Sequence, residues 1–181
     1  MRVKIFFLVI VLLIVGCSHP RAKKQKIDPN KPYQTVEFNN FRSSNEDDAK
    51  VLQTMGVDYL NDRNLAKAMD CFNNAVRLNP KLYLSWYYLG LLNIGSENSY
   101  DYFKKAAEAK PDFPNSYYWM AYGQCRKRDD QKAVQLFKKY IELAKNNPEE
   151  AARVRAAEKA LEELYSGKDG EILTAIRKQF P

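Results

Sequence analysis

The chain has 181 residues, 45% of them hydrophobic and 28% charged, with 29 Lys and Arg against 22 Asp and Glu. A single histidine, His19, close to the N-terminus leaves no Ser-His or Cys-His nucleophile and no histidine-based metal site in the body of the chain. The formal net charge of +7 comes from cations interspersed with acids, which argues against a nucleic-acid partner. No phosphate-binding glycine loop and no recognisable pair of catalytic carboxylates appears, so neither a cofactor nor a small-molecule substrate is expected.

Arg2 and Lys4 form a basic start, Ile5 to Val15 an apolar run of eleven, and Gly16-Cys17 closes it. That run is shorter than the roughly 20 residues needed to span a bilayer core, and it suits a secretory signal. The stretch Leu13-Ile14-Val15-Gly16-Cys17 resembles a bacterial lipobox. The resemblance implies cleavage after residue 16 and a diacylglycerol on the Cys17 thiol, with three acyl chains in a Gram-negative cell, or two if the amine stays free. Two or more chains imply a stable anchor. Ser18 is not the aspartate that marks inner-membrane retention, so the resemblance implies the outer membrane, facing the periplasm, with inner-membrane anchoring left open.

Residues 17–44 read as a lipidated N-terminus and tether. Pro20, Pro29 and Pro32, with Asn30 and Lys31, argue against helix. The cluster Arg21–Lys26 either meets an anionic lipid surface, at on the order of 1 kcal/mol per charge, or is simply solvated. Tyr33, Val36, Phe38 and Phe41 interrupt the polar run; they either cover the first folded unit or form a recognition segment. Ser44, with Asp47 three residues on, gives a capping-box-like helix start.

From there the spacing becomes helical. Leu52, Met55 and Tyr59 fall on one helix face with Gly56 small beside them, and Ala68, Phe72 and Ala75 answer from a second helix, with Ala68 expected to nest on the glycine. Asn79-Pro80 ends the pair. Trp86, Leu89-Gly90, Phe103, Ala106 and Pro111 restate the pattern, Trp86 standing 34 residues after Leu52. The interval from Gly90 to Phe103 is three residues shorter than that from Gly56 to Phe72, which predicts a tightened turn around Gly95. A third copy comprises Tyr117, Met120-Ala121, Ala133, Phe137 and Tyr140, with Asp129-Asp130 at a helix start.

This series resembles the tetratricopeptide (TPR) repeat, a helix–turn–helix unit of about 34 residues. The resemblance implies an all-α solenoid over residues 45–147 in which each hairpin buries its apolar face against the next. It also implies a concave groove lined by the first helix of each unit. Carried over position by position, unit one supplies Lys50, Gln53, Val57, Leu60 and Asn61. Unit two supplies Leu84, Tyr87, Leu91, Ile94 and Gly95, and unit three Asn115, Tyr118, Tyr122, Cys125 and Arg126. Of these, Tyr87, Leu91, Tyr118, Tyr122, Cys125 and Arg126 form the candidate partner site, because tyrosines give a large contact area with a polar tip. Gln53, Val57 and Tyr88 depart from the basic and polar clamp of chaperone-binding members, so capture of a C-terminal carboxylate is not expected.

Cys71 and Cys125 fall on helices separated by others in such a stack, beyond the roughly 7 Å that a disulfide tolerates, and are expected to be free. Residues 148–181 complete the chain. Glu149 to Tyr165 predicts one long capping helix ended by Ser166-Gly167, and Ile172, Leu173, Ile176 and Phe180 form an apolar stripe that packs on the cap or meets a partner. The resulting expectation is a non-catalytic, lipid-anchored scaffold that binds a protein through its concave face. Pilotin-like lipoproteins and adaptors for cell-wall enzymes are the envelope families it resembles; a structural lipoprotein without a recruited partner is the alternative.

Overall fold

The structure is a computed structural model and describes residues 45–178. The signal peptide, Cys17, the tether with its basic and apolar clusters, Ser44 and Phe180 lie outside the described residues. Among those described there are eight α-helices and no strand. They are α1 (Asn45–Asn61), α2 (Leu65–Leu78), α3 (Tyr83–Leu92), α4 (Ser99–Ala109), α5 (Pro114–Lys127), α6 (Asp130–Ala144), α7 (Ala151–Ser166) and α8 (Glu171–Lys178), with a 3₁₀ turn at Pro148–Glu150 before α7. None of them is long and apolar enough to cross a membrane.

Three hairpins, α1–α2, α3–α4 and α5–α6, stack in chain order, so the all-α TPR-type solenoid is the observed fold. The small residue in each first helix is what brings the two helices together. A Cβ on Gly56 would stand 2.6 Å from the Phe72 ring, and one on Gly90 would stand 2.5 Å from Phe103. The phenylalanine ring, not Ala68, therefore occupies the space above the glycine; Ala68 is buried beside Phe72, Val76 and Leu89.

The shortened second unit keeps this contact by a different route from the one its sequence suggests. Its helices have 10 and 11 residues, against 17 and 14 in the first unit and 14 and 15 in the third. The connection from Asn93 to Asn98 is longer than in the other two units, not tighter. Gly95, at φ 98°, takes a left-handed backbone conformation that stops α3 early. The missing residues thus come out of the helix ends, where they bury little, and the glycine–phenylalanine packing survives.

Turns in the first and third units share one design. Arg63 and Arg128 adopt left-handed conformations, and the following amides of Asn64 and Asp129 donate to the Tyr59 and Gln124 carbonyls at 2.8 and 3.0 Å, closing the first helix in the six-to-one manner. Asn64 and Asp129 then cap the second helix, each side chain accepting the amide of a lysine three residues on (Lys67 and Lys132).

Successive units are joined by another repeated device. Trp86 Nε1 donates to the Pro80 carbonyl at 2.8 Å, and the Tyr117 hydroxyl donates to the Pro111 carbonyl at 2.9 Å. Leu89 is fully buried among Ala68, Phe72 and Val76 of the unit before it, and Met120 (4% exposed) packs with Phe103 and Ala107. Met55, the matching residue of unit one, is 40% exposed and Val51 is 57% exposed. The expected inward placement of Met55 fails for a plain reason: that face packs against the preceding hairpin, and among the described residues none precedes α1.

Candidate partner-binding groove

Hydrogen bonds link the first helices of consecutive units directly. Ser85 Oγ donates to Gln53 Oε1 at 3.1 Å, and Trp119 Nε1 donates to the Tyr87 hydroxyl at 3.3 Å. Arg153 Nη1, from α7, donates to Asn115 Oδ1 at 2.8 Å. These bonds draw α1, α3, α5 and α7 side by side, so they form the inner layer of the stack, with α2, α4 and α6 outside.

The six candidate residues do not fare alike. Tyr87, Leu91, Tyr118 and Arg126 remain partly exposed. Tyr87 sits in an aromatic nest: its ring meets Phe103 and Phe113 at centroid distances of 5.9 and 5.1 Å, and burial pushes its hydroxyl pKa up to about 12. Tyr118 packs edge-on against Phe137 and Tyr140, and the Arg153 guanidinium lies 5.5 Å from its ring centre. Tyr122 is 8% exposed and Cys125 is fully buried. For both, burial raises the pKa, Cys125 to about 12. Cys125 therefore belongs to the core rather than to an open groove wall. Cys71 and Cys125 are both free thiols.

Burial of the third unit's inner face comes from the end of the chain. Glu150 accepts hydrogen bonds from the Tyr140 hydroxyl at 2.9 Å and from Arg153. With side chains only 13% and 19% exposed, Glu150 and Arg153 form an enclosed ion pair at the seam between α6 and α7. Two N–H groups at the start of α8 (Ile172 and Leu173) donate to the Glu163 carboxylate at 3.0 and 2.7 Å. Next, α8 packs on α7 and on α5, and Leu173 and Ile176 join Tyr122 and Cys125 in one buried cluster. Arg177 closes the end: Nε donates to the Cys125 carbonyl at 3.1 Å, Nη2 to Asp130 at 2.6 Å, and Nη1 meets Asp169.

Arg153, Glu150 and Arg177 thus shape this surface, and nothing in the sequence pattern singled them out. Arg177 lies 52 residues from Cys125 and 47 from Asp130, far outside any local spacing rule. Partly exposed apolar side chains on the inner layer include Val57 and Leu60 of α1, Leu91 of α3 and Ile94 in the turn that follows it.

No protein-family model and no curated protein matches the chain. Solved structures do match. The Yersinia enterocolitica type III secretion chaperone SycD, in complex with a peptide of the translocator YopD, superposes with a TM-score of 0.63 at 18% identity, over 72% of this chain and 100% of that one. PcrH, in complex with the chaperone-binding region of PopD, gives 0.60 at 20% identity, over 68% and 96%. The first TPR domain of Spaghetti (RPAP3), bound to an HSP90 peptide, gives 0.54 at 16% identity, over 65% and 95%. At these identities the likeness establishes the fold: this chain is a TPR-fold protein.

Proposed function

We propose that the chain is a non-catalytic adaptor that holds a segment of a partner protein along its inner helices. The reading is carried by the inner surface of α1, α3 and the turn after α3, where Val57, Leu60, Leu91 and Ile94 present partly exposed apolar side chains in a solenoid closed at its other end. Extended or helical segments dock in such apolar channels through spaced anchors. Proteins of the same fold, SycD, PcrH and RPAP3, were each solved holding a peptide of another protein, which supports the reading.

The proposal extends to the N-terminus. Lipidation of Cys17 would fix the domain to the outer membrane by a tether of residues 17–44, facing the periplasm. Its support is the basic start, the eleven-residue apolar run and the small residue before Cys17. Labelling of the intact chain with a radioactive fatty acid, compared with Cys17→Ala, tests this part; equal labelling of the two rejects it.

For the groove, a photo-crosslinking residue is placed at Val57 or Leu91 and, as a control, at Lys104 on the outer layer. The same partner should be captured from both inner positions and not from Lys104, and should then bind the purified chain. Capture that is equal on both layers rejects the groove.

A further inference from the structure

The final helix is unlike the second helices of the three hairpins. Instead of continuing the outer layer, α8 turns back onto α5, against residues Tyr122 and Cys125 that the repeat pattern assigns to the concave face. It reaches that place through a short connection with Gly167 in a left-handed conformation, φ 67°, and Gly170 close against the Glu163 carboxylate. Eight residues are too few to hold a helix by themselves. Its hold on the rest of the fold includes Leu173, Ile176 and the partly buried Ile172, the Glu163 carboxylate at its start, the Lys159–Glu171 ion pair and Arg177 at its end.

Such a helix sits where a ligand would. We propose that α8 is a built-in occupant of the third unit's concave end, and that a partner reaching this end is an amphipathic helix of the same pattern, which binds by displacing α8. That pattern is two aliphatic side chains three residues apart followed at once by a basic residue, as in Leu173, Ile176 and Arg177. The aliphatic pair fills the site over Tyr122 and Cys125, and the basic group donates to the Asp130 carboxylate and to the Cys125 carbonyl, which also accepts the Arg128 amide at 3.2 Å. The C-terminal end of a helix favours positive charge, which is the feature α8 exploits. The inference rests on the adaptor reading for its biological use, but its test needs no partner.

The two cysteines make the test internal to the molecule, since Cys125 lies under α8 and Cys71 lies in the first hairpin. In the full chain carrying Cys17→Ser, thiol labelling at each cysteine is followed by mass spectrometry. Ile176→Ser/Arg177→Ala should label at Cys125 about tenfold faster or more, with Cys71 unchanged, since local opening exposes only what the opened element covers. Arg177→Ala alone should show the same order with a smaller gain. A synthetic peptide of residues 169–178 should slow Cys125 labelling in the double variant again. Acceleration at both cysteines together, no acceleration at Cys125, or a peptide without effect would each overturn the proposal. Loss of crosslinking from Val57 and Leu91 would instead sink the adaptor reading and leave this result standing.

Discussion

The ring of Phe72 fills the space that a Cβ on Gly56 would need, and Phe103 repeats the arrangement over Gly90 to within 0.1 Å, 2.6 against 2.5 Å. Two units with different helix lengths therefore share one closest approach. The contact, rather than the length of the helices, is what the repeat preserves.

Gly90→Ala should accordingly destabilise the chain by about 1–3 kcal/mol, because the added carbon overpacks a fully enclosed ring. Gly123, in the middle of α5, provides the opposite case. A Cβ there meets only Tyr100, at 4.0 Å. Gly123→Ala should therefore stabilise by roughly 0.5–1 kcal/mol through helix propensity alone. Urea denaturation of both variants reads the pair, and a common sign would contradict the packing argument.

Position in the stack should decide the cost of losing the same side chain. Met120 is 4% exposed between two units, while Met55 is 40% exposed at the front of α1. Met120→Ala should cost about 2–5 kcal/mol, and Met55→Ala within about 0.5 kcal/mol, as for ordinary surface changes. Thermal unfolding of the two variants separates them by several degrees.

Joints between units depend in part on single hydrogen bonds to proline carbonyls. Tyr117→Phe removes the bond to Pro111 while keeping the ring, and should cost about 0.5–1.5 kcal/mol. Hydrogen exchange should rise at the amides of the Lys110–Phe113 connection before it rises in α6.

Alkali should loosen the fold late. Burial holds the Tyr87 hydroxyl neutral up to about 12, and raises Tyr118, Tyr122 and Tyr140 as well. In the unfolded chain these groups lose their protons near pH 10. Between the two values the folded state binds more protons than the unfolded one, so stability is complete below about pH 10 and falls as pH rises towards 12. Ultraviolet titration should show a set of tyrosines ionising together with unfolding, and Tyr87→Phe should remove part of the decline. A flat stability from pH 9 to 12 would reject this assignment.

Much of the fold was legible because its determinants are local. Helical spacing, the helix start at Asp129, the terminators after Leu78 and Ala109, and the recurrence of small and aromatic residues each act within a turn or two. The end of the helix before Gly95 was misread since a count of residues does not say whether turn or helix gives them up. Met55 was misread since its surroundings depend on a neighbour that the repeat pattern assumes.

The candidate groove was legible only as a set of positions. The residues of α1, α3 and α5 that face inward follow from the repeat. Which of them stay accessible was decided by α7 and α8. Arg153 reaches Asn115 and Tyr118, Arg177 reaches Cys125 and Asp130, and Leu173 and Ile176 cover Tyr122 and Cys125. Periodicity records which side of a helix is apolar; whether that side meets solvent or a distant segment of the chain is set by contacts between residues some 40 to 50 positions apart, which leave no trace in local spacing.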